Sequence, residues 1–268
     1  MTRLEAIARN IRKDTLDLIV RGKAPHIGPS FSIVEILVAL YFKCLNISPG
    51  KSRNRERDRF ILSKGHSCAA LYAVLARKGF ISRQVLRGFS ADGGTLEHHP
   101  TRDLGRGIEA STGSLGHGLS IGAGMALAAK RDRMKHRIFV LLSDGETDEG
   151  SVWETALFSS HHKLDNLVAI VDCNSLQALG KTRDILNLEP FAAKWRSFGW
   201  STREVNGHNL GQLVNAFNKV PFRAKKPSMI VARTSKGRGV SFMEDQVLWH
   251  YRCPDKTECE RASREILG

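Results

Sequence analysis

The hydrophobic rhythm of the chain changes near its middle. In the first 80 residues, apolar positions recur every three or four residues. Leu4, Ile7, Ile11, Leu18 and Ile19 share one face over residues 1–20, and Ile33, Ile36, Leu37 and Leu40 share another over Ser32–Lys43. That period predicts amphipathic helices. A charged loop over Ser48–Arg59 then leads into the short apolar run Phe60-Ile61-Leu62, and a further helix is expected over Ala69–Arg77.

From residue 137 onward, continuous apolar runs alternate with helical segments. Strands are predicted at Ile138–Leu142, Leu167–Val171, Ser201–Val205 and Met229–Ala232, with helices at Ser151–His162, Pro190–Phe198 and Leu210–Asn218 between them. Apolar runs without polar alternation indicate strands covered on both faces, and strand–helix alternation indicates parallel crossovers. The expected fold class is therefore α/β, a mostly parallel sheet with helices on both faces, in one domain over residues 1–268. Between the two halves lies a glycine-rich stretch, and Leu115–Lys135 within it reads as a buried helix of small residues.

Composition narrows the class. With 268 residues, 41% hydrophobic and 25% charged, the chain is neither disordered nor collagenous nor a coiled coil. No apolar run approaches the roughly 20 residues of a membrane span, and the mixed, charged start has no signal-peptide pattern. Five cysteines, an odd number without a CxxC, fit reduced thiols and a cytoplasmic location. A net charge of +14 points to anionic partners: nucleic acid, an acidic surface or phosphorylated small molecules. The two densest basic runs, Arg53–Arg59 and Lys130–Arg137, contain few acids and no interleaved aromatics, which argues against nucleic acid.

Candidate chemistry sits at predicted strand ends. Asp144-Gly145 follows one apolar strand, and Asn174 lies just past the next. Ligands of open α/β sheets bind beyond the carboxyl ends of strands, and right-handed crossovers keep consecutive strands close. Asp144 and Asn174, 30 positions apart, are therefore expected at one edge. A carboxylate, an amide oxygen and a turn carbonyl make a hard-oxygen set suited to Mg²⁺, which keeps sites for phosphate oxygens. Gly145 would admit a phosphate closely, and a helix start near Ser151 would add positive potential. Taken alone, an Asp-Gly and a distant Asn are ordinary turn residues. Two other phosphate motifs fail: Gly116–Gly122 has no apolar strand before it, and Gly180-Lys181-Thr182 has Ser175 where a P-loop needs glycine.

Together, Asp144-Gly145, Glu149-Gly150, Lys163-Leu164-Asp165-Asn166-Leu167 and Asp172-Cys173-Asn174 resemble the thiamine diphosphate motif of transketolases. The resemblance extends over nearly the whole chain. It takes in Pro25-His26-Ile27-Gly28, Leu62-Ser63-Lys64-Gly65-His66, His99-Pro100, Ser111–Gly116, Lys236–Met243 and Trp249-His250-Tyr251. One departure is Ser143, where the motif has glycine.

The resemblance implies a thiamine diphosphate-binding fold, specifically its pyrophosphate-binding domain. It implies Asp144, Asn174 and the Leu176 carbonyl as Mg²⁺ ligands, with Gly145 beside the diphosphate. His66 and His250 would contact the diphosphate or line the channel above the thiazolium. His26 and His99 would contact sugar hydroxyls and move protons, with adjacent His98 able to exchange roles with His99. Gly113 and Leu115 would meet the aminopyrimidine, and Glu149 would link paired cofactor sites across a dimer. Histidine suits such proton transfers because its pKa lies near neutrality.

Single-chain transketolases continue well beyond the matched region. The resemblance therefore implies the amino-terminal subunit of a split, two-component transketolase, active only with a separate carboxy-terminal subunit in an α₂β₂ heterotetramer. It would move a two-carbon ketol unit from a ketose phosphate to an aldose, and the basic runs would steer sugar phosphates, face an acidic partner or simply be solvated. Two alternatives stand beside this reading: a specialised pathway with a non-standard acceptor, and a non-catalytic basic binding protein on the same fold.

Overall fold

The apolar runs meet in one five-stranded, wholly parallel sheet in the computed structural model, which describes residues 1–268. Its strands are β1 (Arg59–Leu62), β2 (Ile138–Ser143), β3 (Leu167–Cys173), β4 (Ser201–Asn206) and β5 (Ser228–Arg233), in the order β1-β2-β3-β5-β4. The helices are α1 (Arg3–Arg21), α2 (Ile27–Phe31), α3 (Val34–Ala39), α4 (Cys68–Lys78), α5 (Arg83–Arg87), α6 (His117–Arg131), α7 (Gly150–His161), α8 (Thr182–Ile185), α9 (Phe191–Ser197), α10 (Leu210–Asn218) and α11 (Lys256–Leu267). Alternate residues of β2 serve opposite cores. Phe139 and Leu141 join the larger cluster with α1, α3, α4 and α10, while Ile138, Val140 and Leu142 join a second with α6, α7 and α9. This two-sided burial is why the strand carries no polar alternation.

Three expectations are adjusted. The helix placed at Ser32–Lys43 begins earlier and is interrupted: α2 and α3 are followed by one wide π turn at Leu40–Cys44. The span Ile27–Cys44 is in fact apolar and long enough to cross a membrane, but 83% of it is buried inside the fold, where it forms core. Strand β4, at the sheet edge, is largely polar and half exposed, so the covering of both faces does not extend to it. Helix α6 is buried on one face only: Gly118, Leu119 and Gly122 pack inward, while Ser120, Ile121 and Gly124 face out.

The basic runs are also different from their appearance in sequence. Arg57 is buried against Glu109, with Arg59 3.8 Å from the same carboxylate. Arg137 pairs with Asp58 and Lys130 with Asp165, each at 2.6 Å. Most of these acids come from outside the runs, so folding supplies the counter-charges that local sequence lacks. All five cysteines are free.

Helix α6 lies against the sheet because it lacks side chains where it touches. A Cβ at Gly122 would come within 2.5 Å of Val140 Cγ2 on β2. Gly122→Val should therefore destabilise the chain by about 2 kcal/mol or more, as overpacking of a tight interface does. Urea unfolding monitored by circular dichroism would register this as a lowered midpoint at unchanged slope, whereas Gly124→Ala, with open space above it, should raise the midpoint slightly, as alanine favours a helix interior over glycine.

Candidate active site

The carboxyl edge of the sheet carries a charge cluster that is completely shielded from water. Lys64, just past β1, places Nζ 2.6 Å from Asp172 Oδ2 near the end of β3, and both side chains are fully buried. Ser32 Oγ donates to the same oxygen at 2.6 Å, Asn174 Nδ2 at 3.1 Å, and Thr234 Oγ1 donates to Oδ1. Lys64 also donates to the Pro29 carbonyl at 3.2 Å. Burial alone would raise the Asp172 carboxyl, but the Lys64 ammonium and these donors hold it below its usual range. Four chain segments are thereby tied to one carboxylate.

Around that anchor the loops form a cavity of about 330 Å³. A cavity of that size falls in the range of small-molecule sites. The four histidines singled out from sequence meet there. The His26 ring centroid lies 5.2 Å from His66, 5.2 Å from His250 and 6.3 Å from His99. His26 holds a left-handed backbone (φ 71°), and its N–H donates to the His250 carbonyl at 2.9 Å, which locks two distant loops together. His99 packs against Gly113, where a Cβ would fall 2.9 Å from the imidazole. His98 turns away to bond Ser90 Oγ at 2.8 Å, so His99 is the one that faces the cavity.

These imidazoles are neutral near pH 7. Burial, then the neighbouring His99, lowers His26 to about 4. Burial and the Lys236 ammonium lower His250 to about 3, and burial with Lys64 holds His66 well below its ordinary value. His99 is lowered too, by burial and His98. Lys236 Nζ lies 2.8 Å from His250 Nδ1. Donation from the ammonium leaves Nδ1 as acceptor, so Nε2 of His250 carries the proton.

The strand ends supply oxygen. Asp144, after β2, and Asn174, after β3, both line this cavity, as do Leu176, Gly145, Gly113 and Leu115. Asp144 is 1% exposed; its oxygens accept the N–H groups of Gly145 at 2.8 Å and Ser175 at 2.6 Å, and no cationic side chain pairs with it. Burial and the nearby Asp172 push its carboxyl up to about 6. A buried carboxylate without a counter-ion is a site that a cation would stabilise. The donors at hand are Asp144, the Asn174 amide oxygen and a backbone carbonyl, a set that fits a hard divalent ion sharing phosphate oxygens. No three His, Cys, Asp or Glu side chains converge as metal ligands, so such an ion would need those additional oxygens. In the chain as it stands, Asn174 Oδ1 accepts the Leu176 N–H at 3.1 Å, and the Leu176 carbonyl accepts from Lys236 at 3.1 Å.

Glu149 occupies the N-cap position of α7, exposed and outside the cavity lining, without a side-chain capping bond. One expectation at this edge is altered. The start of α7 near Ser151 does not line the cavity either; a short 3₁₀ turn, Gly145–Asp148, stands between them. Gly145, which lines the cavity, also serves packing, since a Cβ there would meet Gln177 Cγ at 2.7 Å.

Sequence reading gave no role to Lys64, Asp172, Glu146 or Lys236. Glu146 is fully buried; its carboxylate accepts from Ser63 Oγ, from Gly116 N–H at 2.9 Å and from Ser143 N–H at 3.1 Å. It joins the ends of β1 and β2 to the start of α6. The available signal for Lys64 and Asp172 was a charged residue at the end of an apolar strand.

This fold is found among known proteins. The transketolase of Leishmania mexicana superposes with a TM-score of 0.91 at 26% identity, covering 99% of this chain and 41% of that one. The family model described as "Transketolase, thiamine diphosphate binding domain" matches residues 4–268, and the chain belongs to that family. Among its relatives, one subunit of the apulose-4-phosphate transketolase of Phocaeicola vulgatus is 43% identical over 98% of this chain and 93% of its own length. A 6-deoxy-6-sulfo-D-fructose transketolase subunit of Clostridium sp. is 42% identical over 92% of this chain and 90% of its own length. Human transketolase is 35% identical over 99% of this chain but only 42% of its own length.

The neutral histidines carry a pH signature. Their folded pKa values lie below the ordinary 6.5, so the unfolded chain binds more protons between the two values. Their contribution to stability should be complete above about pH 7 and be lost as pH drops from about 6.5 toward 4, opposed in part by Asp144, whose carboxyl is pushed up to about 6. Chemical denaturation across that window should give a shallower slope for His26→Gln than for the parent chain.

Proposed function

We propose that this chain is the thiamine diphosphate-binding subunit of a two-component transketolase, which transfers a two-carbon ketol unit from a ketose phosphate to an aldose acceptor. The observation that carries the reading is the convergence of His26, His66, His99 and His250 on the cavity that Asp144 and Asn174 border. The two subunit-length relatives support a division of the enzyme into separate chains, because each is named as one subunit.

Asp144, Asn174 and the Leu176 carbonyl would hold Mg²⁺ against the diphosphate. Lys236 would then release Leu176 and remain on His250. When bound, the thiazolium ring would supply the electron sink for cleaving the bond beside a ketose carbonyl. The protein's own task is to bind, orient and move protons. Neutral His26 and His99 can accept a proton from a sugar hydroxyl or donate one through the other ring nitrogen, and His250 presents a fixed Nε2–H donor. Gly113 and Leu115 form the wall for the aminopyrimidine.

The partner chain would cover the outer face of α6 and α7, where Ile121, Leu157 and Phe158 are exposed beside Gly124 and Gly150, which have open space above them. Apolar exposure next to an incomplete site fits an obligate interface. Two copies of each subunit would form the α₂β₂ assembly, with Glu149 positioned to link paired sites. Free cysteines agree with a cytoplasmic enzyme. A second reading has its own support: both subunit-length relatives are named for unusual ketoses, which favours a specialised substrate.

Co-expression with a pyrimidine-binding partner, followed by turnover of xylulose 5-phosphate, apulose 4-phosphate and a sulfonated ketose, tests the reading. Activity should require both chains, thiamine diphosphate and Mg²⁺. His66→Ala in the assembled enzyme should lower kcat about 100-fold or more. Turnover by this chain alone, or by the complex without thiamine diphosphate, would refute it.

Removing the uncompensated charge should act mainly on the ion-bound state. Asp144→Asn relieves a buried charge but leaves one of two backbone N–H groups without its acceptor, so Tm in chelator should change little, while the stabilisation that Mg²⁺ and thiamine diphosphate together confer on the parent should be abolished. Differential scanning calorimetry of both proteins reads both effects.

A further inference from the structure

A second and larger cavity, of about 1230 Å³, shares no residue with the active site. It lies between α1, the turn that follows β4 and the Arg238-Gly239 loop. A buried polar chain forms part of its wall. Arg12, 7% exposed, donates to Glu35 Oε1 at 2.6 Å, and His208 Nδ1 meets Glu35 Oε2 at 3.0 Å. His208 Nε2 accepts the Ser235 N–H at 2.8 Å, so Nδ1 carries the proton and donates to Glu35. Burial would raise the Glu35 carboxyl, but Arg12 overrides this and holds it at about 2.

The wall has donors that the fold leaves unused. Arg12 Nε and Arg9 Nε are both buried without a hydrogen-bond partner. Such orphaned donors are costly and call for an explanation. Arg3, Lys43 and Lys78 add further cationic groups around the same space, as does Arg238, which also reaches Glu244 at 3.3 Å. Three carboxylates also line it, and each is already engaged. Glu5 accepts from the Thr2 N–H, Glu35 from Arg12, and Glu265 from Ser241. The nine-residue helix α10 begins here: its cap Asn209 takes the Gln212 N–H, and Leu210 and Gly211 of the first turn line the cavity.

Guanidinium forks together with a helix N-terminus form a recognition set for phosphate oxygens. Several residues of the dense basic runs are already paired with acids, among them Arg57, Lys130 and Arg137. We propose that this cavity is a second anion site, which takes the phosphate group of a small phosphorylated molecule independently of the reaction cavity.

Isothermal titration of the purified full chain with inorganic phosphate, and separately with glycerol 3-phosphate, tests this. Neither probe is a ketose, so turnover cannot contribute. Saturable binding at one equivalent is expected, unchanged in His66→Ala, where only the reaction cavity is altered. The double variant Arg9→Gln/Arg238→Gln leaves the Arg12–Glu35–His208 chain in place and should weaken binding about tenfold, the effect of losing roughly 1.4 kcal/mol of charge-assisted bonding. Arg12→Met should weaken it further, with folding checked by circular dichroism. Equal affinity for both probes assigns the site to the phosphate group itself, while tighter binding of glycerol 3-phosphate assigns it to an ester. Absence of saturable binding at millimolar probe would overturn the proposal, as would binding that survives Arg9→Gln/Arg238→Gln but disappears in His66→Ala.

Discussion

The Lys64–Asp172 ion pair is the constraint on which the site depends. Two charges with no solvent exposure cannot be held apart without a large desolvation cost, so their contact at 2.6 Å fixes the end of β1 against the end of β3 across β2. Ser32, Thr234 and Asn174 satisfy the remaining lone pairs, which brings the α2–α3 region and the loop after β5 to the same point. A half-satisfied version of this cluster would be worse than an apolar core; a complete one specifies a unique arrangement. The cavity lining follows from it, since Lys64 directs the loop carrying His66 and Asp172 directs the turn carrying Asn174.

The electrostatics of the cavity divide cleanly. Burial, reinforced by the nearby Lys64 and Lys236 side chains, lowers the histidines, so the imidazoles stay neutral. On the other side, Asp144 is left without a partner beside charged Asp172. One half of the cavity is thus prepared for proton transfer and the other for a cation. The two halves meet through Lys236, which contacts both His250 and the Leu176 carbonyl.

Two glycines of the cavity loops, Gly65 and Gly113, serve packing between loops. A Cβ at Gly65 would fall 2.8 Å from the Thr112 carbonyl, and one at Gly113 would strike His99. Their absence of side chains lets three loops from remote parts of the chain lie in contact. Such close approach leaves no local signal beyond the glycine itself, which is why the glycine-rich middle gave no indication of which residues it would touch.

The parallel α/β sheet, the boundaries of most strands and helices, and the four histidines were legible in the sequence. Periodicity reports burial directly, and the motif loops repeat a known order. The sequence also implied that Asp144 and Asn174 share an edge, because consecutive parallel strands are neighbours. It could not show that Glu109, Asp58 and Asp165 neutralise the basic runs, that Asp172 takes Lys64 while Asp144 stays unpaired, or that His99 rather than His98 faces the cavity. The charge pairings depend on contacts between residues 35 to 108 positions apart, such as Lys130 with Asp165 and Lys64 with Asp172. Pairing of charges is decided by which side chains the packed core brings within reach, and only the tertiary structure makes that selection.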